Sequence, residues 1–223
     1  MIDRLETTLS RPLGGPTRGA LLLGALLLTL ALFLPLWRIH LEAQQFPEGL
    51  DLWIYPSRIV GGNGGQDLNE INVLNHYIGM KAIEPASFPE MKWLPFGIGV
   101  FALVSLRAVV LGRVRTLVDT IVLFVYFGGF ALGSFYWRLY TYGHNLDPKA
   151  PMTVPPFTPP IIGEQQLANF HVTSLPQAGA LLLAAYGLVL AGCLVVEWRR
   201  SRRAAGERVA VRIVARAGVG HAR

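Results

Sequence analysis

The sequence predicts an all-α membrane protein in which four transmembrane helices carry a small extracytoplasmic α+β cap built from two long loops. Three observations carry that reading. Of 223 residues, 52% are hydrophobic and only 15% charged, against roughly a quarter charged in an ordinary soluble domain. Four apolar stretches are long enough to cross roughly 30 Å of hydrocarbon, which takes about 20 helical residues. The basic residues, finally, are spread unevenly around those stretches. The apolar content excludes disorder, and the single cysteine, Cys193, excludes both a disulfide scaffold and the CxxCH attachment of a c-type haem.

A polar tail, residues 1–18, precedes the first span, residues 19–37, a Leu/Ala-rich helix with Pro35 near its end, where a proline costs little. Leu41-Glu42-Ala43 loosely fits a signal-peptide cleavage site. The apolar stretch before it exceeds the usual h-region of about 7–15 residues, however, which favours an uncleaved anchor. The other spans are 93–112, 116–136 and 178–198, separated by a loop over 38–92, a turn over 113–115 and a loop over 137–177, with a basic tail over 199–223. Trp37, Trp93, Tyr136, Trp137 and Trp198 mark span ends, as interfacial anchors should. Gly128, Gly129 and Gly133 in the third span, and Ala184, Ala185, Gly187, Ala191 and Gly192 in the fourth, allow helices to approach closely.

Fourteen of the 20 basic residues lie in the tails and around the short turn, among them Arg4, Arg11, Arg18, Arg107, Arg113 and Arg115. The two long loops hold six basic and nine acidic residues, a local charge of −3. By the positive-inside rule both termini are cytoplasmic and both loops face the other side. The net charge of +6 therefore reports topology. No aromatic residue follows Trp198 to stack on bases, so nucleic acid is excluded as a partner. Arg199, Arg200, Arg202 and Arg203 are expected to grip anionic lipid headgroups. Arg107 is expected to snorkel to the inner face, and Asp119 to pair with Arg115 one turn away at the membrane edge.

In the first loop, Arg38–Ala43 alternates polar and apolar residues and Gly49–Tyr55 is rich in β-formers, which predicts a hairpin turning near Pro47-Glu48-Gly49. Gly61, Gly62, Gly64 and Gly65 make a turn that is not a phosphate loop, since the GKS/T ending is missing. Tight backbone geometry or docking of a partner explains the glycines better. Asp67 as N-cap, with Glu70 completing a capping box, opens a helix over Leu68–Met80. On it His76 and Met80 are spaced i, i+4, an imidazole and thioether pair suited to copper. The alternative is that His76 hydrogen-bonds a loop while Met80 fills a small core.

In the second loop, Gly143 is expected to end the helical extension of span three, and six prolines between Pro148 and Pro160 impose a stiff extended path. Pro156, Phe157, Pro159 and Pro160 are candidate docking residues there. His40, His76, His144 and His171 all fall in the two loops, with Met80, Met91 and Met152, and only His221 lies in a tail. Such a face suits an extracytoplasmic metal site. No nucleophile elbow, HExxH motif or selected carboxylate pair points to an enzyme.

The blocks Leu74-Asn75-His76-Tyr77-Ile78-Gly79-Met80 and Tyr142-Gly143-His144-Asn145-Leu146-Asp147-Pro148-Lys149-Ala150-Pro151, followed by Pro156–Pro160 and Gly163-Glu164, carry a resemblance. The chain resembles a four-span bacterial membrane-protein family whose members look like neighbours of nitrous oxide reductase and copper-accessory proteins, and are sometimes labelled cytochromes. The resemblance implies a bacterial cytoplasmic-membrane location and supports His76, Met80, His144 and Asp147 as site positions. Three readings follow. The first is a non-enzymatic accessory protein that binds or delivers copper through His76, Met80 and His144, with Asp147 or Asn75 orienting an imidazole. The second is a structural or assembly subunit that docks another membrane or periplasmic protein through its Gly-rich and Pro-rich loops, without metal. The third, an enzyme or b-type haem protein, lacks histidines inside the spans.

Overall fold

A computed structural model of the protein describes residues 6–7, 9–167 and 170–219. Arg4, His221 and Arg223 lie outside the described residues. Helix α1 (Gly15–Ala31) takes Pro16 in its first turn, where the missing N–H is no loss. It stops ahead of Pro35, which disfavours helical backbone in the residue before it. Its 17 residues cover about 26 Å at 1.5 Å per residue. The span expected over 19–37 therefore starts and ends early. Trp37 is not an anchor at a helix end: it opens strand β1 (Trp37–Ala43), and its indole N–H is donated to the Ile161 carbonyl and Ser174 Oγ, each at 2.9 Å.

β1 pairs antiparallel with β2 (Phe46–Ile54), and β2 with β3 (Ile59–Gly61). The expected hairpin is there, but it turns at Gln44-Gln45. Pro47-Glu48-Gly49 falls inside β2, where a bulge shifts the register between Leu41 and Ala43 and Gly49 adopts φ +78°. On its other side β1 pairs with β5 (Phe170–Pro176), which pairs with β4 (Gly163–Leu167). The result is one five-stranded antiparallel sheet, ordered β3-β2-β1-β5-β4. Both long loops thus contribute to a single sheet, of which the sequence indicated only the first hairpin.

The strand period of two divides the sheet. Ile39, Leu41, Leu50 and Leu52 face α2 (Gln66–Tyr77) and pack with Ile71 and Leu74. Arg38, His40 and Glu42 occupy the opposite face. α2 begins two residues earlier than expected, with Gly65 at φ +100° as its N-cap. Asp67 is not a cap. Its buried carboxylate accepts the Asp51 N–H at 2.8 Å and the Asn63 side-chain amide at 2.7 Å, tying the glycine turn to β2.

α2 also ends earlier, at Tyr77. The Met80 N–H bonds the Asn75 carbonyl and the Gly79 N–H that of His76, the paired closure of a Schellman motif with Gly79 at φ +80°. The Gly79 carbonyl then accepts the Asp147 N–H, and the Tyr77 carbonyl that of Met152. The two sequence blocks are therefore joined through backbone. A Cβ on Gly79 would meet the Asp147 carbonyl oxygen at 2.8 Å.

Helices α3 (Glu90–Leu111), α4 (Val114–His144) and α5 (Ala178–Val219) follow. α3, α4 and the Ala178–Ala204 part of α5 are each long and apolar enough to cross a membrane; α1 is apolar but shorter. Gly112 at φ +59° caps α3, and a turn of two residues reverses the chain. α4 runs eight residues past the expected Tyr136, with Gly143 inside its last turn instead of ending it. There Gly143 leaves room for the backbone of Phe157, whose N–H it accepts at 3.1 Å. α1 packs against α3 and α5, with Leu21, Leu28, Ile98, Leu117, Tyr186 and Leu190 buried between the helices. At the end away from the sheet, buried Glu197 of α5 accepts the Gly14 N–H at 2.9 Å and the Thr17 hydroxyl at 2.6 Å, a carboxylate placed on the start of α1.

Arg200 pairs with Glu197 at 3.0 Å and Arg202 lies over Trp198, so two of the four arginines expected at lipid headgroups have protein partners. Arg199 and Arg203 are exposed. Arg115 and Asp119 are both exposed and, among the described residues, form no ion pair; α4 turns them to the surface.

Gly79→Ala forces an L residue into left-handed backbone against Asp147, and Gly143→Ala drives a methyl group into the Phe157 carbonyl. Each is expected to destabilise the fold by about 1–3 kcal/mol, read as a lower thermal midpoint in detergent. The same change at Gly129, where a Cβ meets open space, is expected to leave the midpoint unchanged.

Candidate functional site

The residues expected to ligate metal are placed by three different local structures. His76 is exposed in the last turn of α2, whereas Met80 follows the left-handed Gly79 and lines an apolar cavity. The shared helical face assumed for an i, i+4 pair is therefore missing. His144 stacks on Tyr140 with ring centroids 3.8 Å apart, and its Nδ1 lies 3.0 Å from the Tyr140 carbonyl. A carbonyl only accepts, so that nitrogen carries the proton. Asp147 Oδ1 accepts the Lys149 N–H in a local turn at 2.9 Å. Among the described residues, no group of three or more His, Cys, Asp or Glu side chains is placed to hold a metal ion.

The residues expected to dock a partner divide between engaged and open positions. Cβ atoms on Gly61 and Gly62 would run into Leu68 and Asp67, and Gly64 and Gly65 take positive φ. Phe157 and Pro159 line the cavity, Pro160 is half-buried and Pro156 is exposed.

On the polar face of the sheet, the register sets His40 opposite Asp51 and Glu42 opposite His171. Arg38 donates from Nε and Nη2 to Asp51 at 2.7 and 3.0 Å, and His40 Nδ1 lies 2.8 Å from the same carboxylate. His40 Nε2 lies 3.4 Å from Glu42, and the ring fills the space beside Gly49. Burial pushes the Asp51 carboxyl up, but the hydrogen bonds and charges of Arg38 and His40 outweigh it and hold the group below its ordinary 3.8. The alternation Arg38-Ile39-His40-Leu41-Glu42 was the visible signal for this row; its acceptor, Asp51, lies on another strand.

The cavity lies on the other face. It measures about 850 Å³ and runs between the apolar side of the sheet, α2 and the sheet-proximal parts of α3, α4 and α5. Along α4 its lining extends from Tyr142 to Phe124, about 27 Å of helix. Trp37, Trp93, Phe127 and Phe135 stand in a wall that is otherwise mostly aliphatic. Polar side chains interrupt it at several places: Gln165 and Gln166 on the β4 edge, Tyr142, whose hydroxyl is donated to the Ala82 carbonyl at 3.3 Å, the Glu90–Arg138 pair, and Asn75. Glu90 accepts from Ser134 Oγ at 2.8 Å and from Arg138 Nε and Nη2 at 2.9 and 3.2 Å, and Arg138 also lies over the Phe88 ring. That ion pair is internally satisfied. Asn75, 7% exposed, also lines the cavity, and its Nδ2 is the buried side-chain polar atom that has no hydrogen-bond partner among the described residues. Its neighbour Asn72, in contrast, clamps both the N–H and the carbonyl of Ile83.

Volume, length and lining suit a non-covalent apolar ligand. Comparison with protein-family models, curated protein sequences and solved structures found no match to this chain.

The lowered Asp51 carboxyl stabilises the fold above its unfolded pKa of 3.8, and the contribution disappears as the pH falls through the native value. In detergent, the thermal midpoint is expected to fall more steeply below about pH 4 for the wild type than for Asp51→Asn, which starts lower at neutral pH. Parallel curves would remove Asp51 from the balance.

Proposed function

We propose that the chain is a four-span protein of the bacterial cytoplasmic membrane, with both termini inside, and that it holds a lipophilic molecule between its extracytoplasmic sheet and its helices as a non-enzymatic accessory protein. The cavity carries this reading. It is continuous with the helix surfaces that a bilayer would cover, where Leu132, Phe130 and Leu181 are exposed. A sheet that roofs an apolar groove at a membrane surface is suited to taking up a chain that slides in sideways, because neither partner need be exposed to water during transfer.

Four crossings are supported by the way the ends of α1 are held. It is too short alone for roughly 30 Å of hydrocarbon, but its first turn is fixed to Glu197 of α5 and its exit leads directly into the sheet from which α5 starts. The basic residues cluster at the Glu197 end, which favours a cytoplasmic position for it. Copper delivery draws no support from the placement of His76, Met80 and His144, which lie on separate local structures.

In a Cys193→Ser background, Glu48→Cys is expected to react with a membrane-impermeant maleimide in intact cells, and Arg203→Cys only after the membrane is opened; the reverse pattern would overturn the orientation. Native mass spectrometry of the detergent-purified protein is expected to show a bound lipophile. Gly128→Phe places a ring in open cavity space and is expected to lower that occupancy severalfold with no loss of thermal stability. Equal occupancy in both proteins would refute cavity binding.

A further inference from the structure

The unpartnered amide of Asn75 is the feature the fold does not explain. A buried amide N–H left without an acceptor is destabilising relative to a satisfied one, and a leucine at this position carries no such penalty. Asn75 nevertheless sits in the third-last position of α2, in a wall formed by Ile71, Leu74, Ile78 and Met80. Its backbone is already engaged, its carbonyl accepting the Met80 N–H at 2.8 Å. Among the described residues its Nδ2 makes no hydrogen bond that would hold the helix end.

We infer that Asn75 is the recognition residue of the cavity, donating from Nδ2 to an uncharged carbonyl oxygen carried by a lipophilic chain. This rests on the reading of the cavity as a lipophile site. The terminal torsion of an asparagine is broad and soft, so the amide can turn to an acceptor in the cavity without moving α2. Charge excludes the ionic headgroup classes. Among the described residues the cationic side chain lining the cavity, Arg138, is held by both oxygens of Glu90, so an anionic group meets no free counter-ion from them; the acidic one, Glu90, is likewise neutralised against a cationic group. What remains is a neutral acceptor at one end of an apolar path about 27 Å long. Acyl esters and long-chain quinones share that chemistry.

The test uses the full-length protein in detergent with Trp53, Trp137 and Trp198 replaced by Phe, so that emission comes from Trp37 and Trp93, both in the cavity wall. Quenching is titrated with a bromine-labelled diacylglycerol, a long-chain benzoquinone and a bromine-labelled alkane, on the parent and on Asn75→Leu. The expected result is an alkane affinity unchanged within about twofold and a loss of about five- to tenfold for a carbonyl probe, the worth of one neutral hydrogen bond. Ligand-free Asn75→Leu is expected to melt no lower than its parent, since the orphaned donor is gone; a merely structural asparagine would melt lower. A loss confined to the diacylglycerol identifies the acyl ester, and one confined to the quinone identifies the quinone. If the alkane binds and Asn75→Leu weakens no carbonyl probe, or weakens all three probes equally, the inference is overturned and the cavity reading survives. If no probe quenches the parent, both are overturned.

Discussion

The antiparallel pairing of β1 with β5 is the constraint on which the rest of the molecule depends. β1 leaves the end of α1 and β5 leads into α5, so six paired positions from Trp37↔Pro176 to Glu42↔His171 join the exit of the first helix to the entry of the last at one place. That pairing brings the Ile161 carbonyl and Ser174 onto the Trp37 indole. It sets the apolar side chains of both loops on one face and the Arg38, His40 and Glu42 row on the other. At the far end of the same helices, Glu197 holds the start of α1. Sheet and carboxylate clamp thus fix α1 against α5 from both ends, and the space left between sheet and helices is the cavity.

A packed core closes such space, since interiors reach crystal-like density with few voids larger than a water molecule. Here the separation is maintained by the Phe88, Phe127 and Phe135 rings, the Glu90–Arg138 pair and the proline-rich segment that returns along Gly143. An apolar volume of about 850 Å³ is costly to leave unfilled and cheap to fill with hydrocarbon. The orphaned Asn75 amide, in the wall of the same space, is a second local cost of the kind that clusters where a ligand compensates it.

The features of local sequence pattern were legible without the structure. Hydropathy placed three of the long helices, and the Arg38–Ala43 alternation placed β1. What escaped depends on contacts distant in sequence. Asp67 and Glu70 fit a capping box, but the Asp51 N–H, 16 residues away, claims the Asp67 carboxylate. The spacing of His76 and Met80 reads as one helical face only if the helix continues, and Gly79 ends it because Asp147 packs against it. β4, with Gln165 and Gln166, has little strand signal of its own and forms on the edge that β5 offers. By sequence Trp37 and Gly143 each mark a helix end, but the first is claimed by Ser174 and the second by Phe157. Asn75 was legible only as part of a metal-site pattern, since nothing in one sequence shows that a side chain lacks a partner.

The most direct measurement of the central claim, that the sheet roofs a chain-length apolar site, is an experimental density map of the protein in lipid nanodiscs. The account predicts elongated non-protein density between the sheet and α3, α4 and α5, running from the Phe124 level toward Asn75. A junction in which the apolar face of the sheet packs directly on the helices, or one filled with ordered water alone, would contradict it.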